Sequence, residues 1–187
     1  MSLVWVREES PVWDEGKQRI IGGAPEGAFV LPFTEGDPLP GEWWSVRARA
    51  EGEGGTEGAI VGYGRLDIGW GGDAEVLLAV DPGHQTLGVG SFVLARLEEE
   101  AGARGINYVY NTIRDHDARD LVHDWLVVRG FRGAVDGDLR KRVGSSRAEP
   151  RRTARVTTPY DVRADAGGRG PGHEEQGGYV GVDEHQY

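Results

Sequence analysis

The sequence predicts an α/β domain built on one central sheet. Two observations carry this. Between about 59 and 143, apolar β-forming runs alternate with segments of helical period, the arrangement that layers helices on a sheet. Within that region, residues 74–80 form a nearly continuous apolar run, the pattern of a strand covered on both faces. The run leads through a glycine-rich loop into an amphipathic helix.

In chain order, 2–8 reads as a short strand. Residues 10–21 read as a helix with Ser10 as N-cap and Pro11 at its first position, ended by Gly22 and Gly23. A loop follows, then a strand at 42–49, a flexible turn at 51–58, and a strand at 59–70 rich in β-formers despite its glycines. The helix after the glycine loop runs from Gly88 to Ala103. Val89, Phe92, Val93, Leu97 and Ala101 form its inner face, and Glu98, Glu99 and Glu100 point mostly elsewhere. Residues 106–113 alternate as a strand. Residues 117–130 read as a helix capped by Asp117, with Leu121, Trp125 and Val128 as the inner stripe and Gly130 as the stop. Phe131 then enters the core, and 137–143 is a last strand. From Gly144 onward large aliphatics thin out and charge segregates, so the reading is a domain over 1–144 and a flexible tail over 145–187.

Bulk properties narrow the function. The chain has 187 residues, no cysteine and a formal net charge of −10. Thiolate zinc sites, disulfides and a cysteine acyl-enzyme are therefore out. The charge argues against a nucleic-acid partner. No apolar run is long enough for a membrane span, and the N-terminus lacks a secretory pattern, so a cytoplasmic protein without a membrane partner is expected. No metal is expected either.

The loop itself separates three designs. A P-loop needs lysine after its second glycine, and Val89 follows Gly88. A dinucleotide-binding loop needs a third glycine, and that position is Val93. The third design, Gln/Arg-x-x-Gly-x-Gly/Ala, is met at every fixed position by Gln85, Thr86, Leu87, Gly88, Val89 and Gly90. On this loop, its preceding apolar strand, the strand at 106–113 and the Arg-Gly-Phe close at 129–131, the chain resembles the GNAT superfamily of acetyl-CoA-dependent N-acetyltransferases. The resemblance covers about 59–143.

That resemblance implies a mixed central sheet of about six to seven strands, flanked by helices and splayed between the strand before the loop and the next strand. It implies acetyl-CoA as co-substrate. The main chain of Leu78, Ala79 and Val80 would meet the pantetheine arm. Backbone N–H groups from Gln85 to Gly90 at a helix N-terminus would meet the pyrophosphate, with Ser91 adding a hydroxyl. Gln85 would donate a neutral hydrogen bond where relatives often have arginine. His84, in the same loop, either adds partial positive charge near the phosphates or faces solvent. The implied reaction is direct attack of a primary amine, on a small molecule or a protein, within a ternary complex.

For the chemistry, Glu75 is the base candidate, the alternative being a strand-edge carboxylate that makes a structural hydrogen bond. It lies in an otherwise apolar strand, where burial among apolar side chains would raise its pKa. The family's usual tyrosine acid position is Leu126, so Tyr110 is the candidate substitute, with a core aromatic role beside Tyr108 and protonation by solvent as the alternatives. Trp43 and Trp44 are adjacent on a strand, which implies one core ring and one facing outward. His123 and Asp124, adjacent on a helix, are not expected to face each other. An alternative function is a catalytically weak acyl-CoA sensor. A monomer or homodimer fits either. The acceptor amine and the acyl-chain preference are not readable from these residues.

Overall fold

The computed structural model describes residues 2–49, 58–133 and 137–144. The strands are β1 (Ser2–Glu8), β2 (Glu42–Arg49), β3 (Ala59–Ile68), β4 (Asp73–Val80), β5 (Tyr108–Asn111), β6 (Arg132–Gly133) and β7 (Leu139–Arg142). The helices are α1 (Glu15–Ile20), α2 (Val89–Ala103) and α3 (Arg119–Val128), with a single 3-10 turn at Pro82–His84. The strands form one 7-stranded sheet in the order β1-β2-β3-β4-β5-β7-β6. β4 and β5 are parallel and all other neighbours antiparallel, so the sheet is mixed as expected. A parallel pair needs a crossover, and α2 supplies it. The tail expected over 145–187, and all but the end of the turn at 51–58, lie outside the described residues.

β4 is covered on both faces, as its apolar run requires. Ala74 and Val76 join a core under α2 that also holds Val93, Leu97, Leu126 and Phe131. Leu77 and Ala79 join a second core with Ile20, Trp43 and Tyr63. Truncating a buried ring such as Phe131 to alanine costs about 3–5 kcal/mol, which sets the scale of what holds these layers together. Gly64 explains how α2 comes so close to β3. A Cβ there would lie 2.7 Å from the Trp5 ring and 3.0 Å from Val93, so only glycine admits the contact.

Several local expectations are corrected. The first helix starts at Asp14, not Ser10. Asp14 is extended and its carboxylate accepts from Lys17 N at 2.8 Å. Residues 11–13 instead bond across to 37–39, through Trp13 N to Asp37 O and Leu39 N to Pro11 O. On α3 the N-cap is Ala118, with no side-chain cap. The inner stripe is turned by one residue: Leu126 is buried, with Val122 and Trp125 against the core, while Leu121 and Val128 are 72% and 83% exposed. On α2, Leu94 and Glu98 are buried beside the expected face, and Glu98 accepts from Lys141 at 2.6 Å. The chain has only two lysines, Lys17 and Lys141. Both are buried in ion pairs, Lys17 with Glu8 and Asp14. Trp43 and Trp44 are both buried, one in each core, so neither faces outward. Trp44 stacks on Trp5 at 5.4 Å. His123 and Asp124 do meet, at 3.1 Å on the exposed face of α3. Among the described residues no helix is long and apolar enough to cross a membrane.

Candidate functional site

The β4–β5 ladder is short. It pairs Asp73 to Glu75 with Tyr108 to Tyr110 and then stops, while β4 runs on to Val80. The two strands part beyond Glu75, and a cleft of about 790 Å³ opens between them. At its apex the Asn111 side chain donates to the Val76 carbonyl at 2.9 Å. That carbonyl therefore points toward β5. Main-chain direction alternates along a strand, so Leu78 and Val80 also turn their peptide groups into the opening, where no strand pairs with them. Ala79 faces the other way and lies opposite Tyr63 on β3. Of the expected main-chain row, Leu78 and Val80 thus turn their peptide groups to the opening; Ala79 turns its own toward β3, and all three line the cleft.

At the far end of β4 the glycine loop turns the chain into α2. Gly88 is the N-cap, with φ 85° and ψ −2°, a conformation that L side chains adopt at a cost. A Cβ on Gly88 would meet nothing within 4 Å, so the space in front of it is open. Thr86 has φ 65°, unusual for a β-branched residue. Gln85, Thr86, Gly88, Gly90 and Ser91 line the cleft. Leu87 points to solvent, and the Val89 side chain is buried in the core, so those two offer the site only their backbone. The first N–H groups of α2 are free of helical partners and carry the positive end of its dipole.

The start of the loop is braced by charge. Asp81 accepts from Arg19, and its other oxygen meets His84 Nδ1 at 2.8 Å. The hydrogen bond from His84, with Arg19 adding to it, holds the Asp81 carboxyl below its ordinary range. His84 is committed there and is not among the residues lining the cleft.

Glu75 lines the cleft at the point where the strands part. It is not surrounded by apolar groups alone, as the sequence led one to expect. Arg65 donates to it at 3.0 Å and to Asp67 at 3.2 Å, and the Glu75 side chain is 31% exposed. Tyr110 pairs with Glu75 in register, so both sit on the same sheet face. Burial, together with the nearby Glu75 charge, raises the Tyr110 pKa, and the hydroxyl keeps its proton through the neutral range. The Tyr110 ring lies 5.8 Å from the Arg140 guanidinium and is not part of the cleft lining. Leu126, at the position where a tyrosine was sought, is buried and lines the cleft.

Three lining residues were not among the expected site residues. Asn111 takes the place of the next ladder rung, Arg65 reaches Glu75 from β3, and Arg129 stands at the end of α3. Each depends on a pairing between distant parts of the chain. Among the described residues no group of three or more histidines or acids is placed to hold a metal ion.

Comparison with known proteins adds the following. The family model described as Acetyltransferase (GNAT) family matches residues 8–123. A mycothiol acetyltransferase of Geodermatophilus obscurus is 53% identical over 95 residues, which is 50% of this chain and 24% of that protein. The chain therefore spans about a quarter of that relative's length. A GNAT-family acetyltransferase from Staphylococcus aureus has TM-score 0.45 and 16% identity, covering 55% of this chain and 68% of that one. The PaiA N-acetyltransferase of Thermoplasma acidophilum, solved with coenzyme A, has TM-score 0.43 and 17% identity, covering 54% and 59%.

Proposed function

This chain belongs to the GNAT acetyltransferase family, and from that premise we propose that it transfers an acetyl group from acetyl-CoA to a primary amine by direct attack in a ternary complex. The observation that carries the reading is the parting of β4 and β5 beyond Glu75. It exposes an unpaired main-chain edge at Leu78 and Val80 that leads to the open N-terminus of α2. An extended, amide-bearing arm ending in phosphates fits such a track. The amides of pantetheine complete the missing strand pairing, and the phosphates meet backbone N–H groups at the helix end. The positive φ of Thr86 supports this, because strained backbone gathers where a ligand is held.

In this reading Glu75 is the general base. It takes the proton of the incoming ammonium group, directly or through a water, and leaves the neutral amine to attack the thioester carbon. Arg65 holds the carboxylate in place from β3. The carbonyl oxygen collects negative charge as the tetrahedral intermediate forms, and it needs donors aimed at that position. The unpaired N–H groups of β4 are the nearest supply. Collapse expels the coenzyme thiolate. Tyr110 holds its proton firmly and lies outside the cleft lining, so solvent returns the proton in our account.

The second reading, an acyl-CoA sensor, draws on one observation: Leu126 and the placement of Tyr110 leave the cleft lining without a tyrosine. Isothermal titration with acetyl-CoA, followed by a thiol-release assay over a panel of amines, separates the two. The panel includes the acceptor class of the mycothiol acetyltransferase relative. Binding with amine-dependent thiol release supports the enzyme. Binding with no release on any amine supports the sensor, and no binding of any CoA thioester overturns both.

A further inference from the structure

We propose that Arg129 is a phosphate-binding residue for the coenzyme, supplying from α3 the positive charge that the glycine loop lacks. The inference rests on the coenzyme reading above. Gln85 to Ser91 contain no cationic side chain. The loop therefore offers an anion only N–H groups and the α2 dipole.

Arg129 is the C-cap of α3. One guanidinium nitrogen donates to the Trp125 carbonyl at 2.9 Å, and another donates to Ser91 Oγ, in the first turn of α2, at 2.8 Å. The guanidinium carbon lies 3.6 Å from the centre of the Trp125 ring, a close stacked approach. A backbone carbonyl, an indole face and a hydroxyl thus hold the fork beside the N-terminal turn of α2. Arg129 and Trp125 both line the cleft.

Arg129 differs from Arg65 and Arg104 in its missing counter-charge. Arg65 is paired with Glu75 and Asp67, and Arg104 with Glu42 and Glu100. Among the described residues no carboxylate meets Arg129. Burial alone acts on it, and lowers its pKa. A half-buried cation without an anion carries an uncompensated desolvation cost. An arriving phosphate relieves that cost. The planar fork keeps further N–H donors for it, in the bidentate geometry that phosphate oxygens favour. A purely structural tie between α2 and α3 would need no charge at this point.

The test is isothermal titration of the full chain with CoA at two salt concentrations, with pantetheine as a phosphate-free competitor. Arg129→Gln should weaken CoA binding about 10- to 100-fold, the range for a lost charge-assisted hydrogen bond. It should also make CoA binding less salt-dependent, and leave pantetheine affinity unchanged. Arg129→Lys keeps the charge without the fork and should fall between. Adding Gln85→Arg to Arg129→Gln should recover much of the loss, because it restores a cation at the phosphates without touching Trp125 or Ser91. The proposal is overturned if Arg129→Gln binds CoA within twofold of wild type. It is equally overturned if CoA and pantetheine weaken by the same factor, as a structural role would have it. Wild-type protein that binds no CoA defeats the coenzyme reading itself, a result distinct from either.

Discussion

Gly88→Ala puts the loop assignment to a controlled test, because the same helix carries its own reference. Gly88 and Gly105 flank α2 at opposite ends, with φ of +85° and +71°. A Cβ at either would meet nothing within 4 Å. The two alanine variants therefore share one intrinsic cost, the left-handed backbone strain of about 1–2 kcal/mol. For a chain of this size each kcal/mol lowers Tm by about 2–4 °C, so both variants should melt about 2–8 °C lower. They differ in position. The 15 residues of α2 lie between them, about 22 Å of helix at the usual rise of about 1.5 Å per residue. Only the methyl at 88 enters the space where a phosphate would approach the helix N–H groups. Losing one charge-assisted hydrogen bond there costs about 1.5–3 kcal/mol, or roughly 10- to 150-fold in affinity. Titration calorimetry with CoA on both variants measures this. Equal CoA affinity in Gly88→Ala and Gly105→Ala would refute the placement of the coenzyme phosphates at this loop.

Further predictions concern the base, the cleft apex and pH. Glu75→Gln should lower turnover by about 10²–10⁴-fold, the usual contribution of a general base, while CoA affinity stays within twofold; an unaltered pH–rate profile would remove Glu75 from the role. Asn111→Ala leaves the Val76 carbonyl without its donor and should cost about 1 kcal/mol in denaturant unfolding. Asn111→Asp should cost more, since a carboxylate would face that carbonyl. The hydrogen bond from Arg104, with Arg7 adding charge, holds the Glu42 carboxyl below its ordinary range, and His84 does the same for Asp81. Both groups are more acidic folded than unfolded. Their stabilisation is therefore present above the unfolded carboxyl value of about 4 and lost as pH falls through the folded value. Unfolding midpoints should fall between pH 6 and pH 3, and Glu42→Gln should flatten that slope.

The parts of this molecule that were legible in the sequence are those governed by local pattern. The apolar run of β4, the glycine loop and the start of α2 follow from residue type and spacing over some thirty positions, and they lie where expected. Phe131 does as well. Errors arose where two local signals competed. Ser10-Pro11 is a strong helix-start signal, but pairing of 11–13 with 37–39 won, and the cap moved to Asp14. On α3, apolar residues at 121, 122, 125, 126 and 128 allow two faces, and only the packing of Leu126 in the core chooses between them. Glu98 and Lys141 each look like surface residues until the other is present. The same limit applies to the site. The loop lies in the residue pattern itself, whereas the main-chain row of Leu78, Ala79 and Val80 comes only with the family resemblance. Arg65, Asn111 and Arg129 act across sequence gaps that no local period spans.

A crystal structure of the chain with CoA decides whether the parted β4 and β5 strands hold acetyl-CoA. The pantetheine amides should bond to the main chain of Leu78 and Val80, with the pyrophosphate at the N–H groups following Gln85. Coenzyme bound elsewhere, with the β4 edge still unpaired, would contradict it.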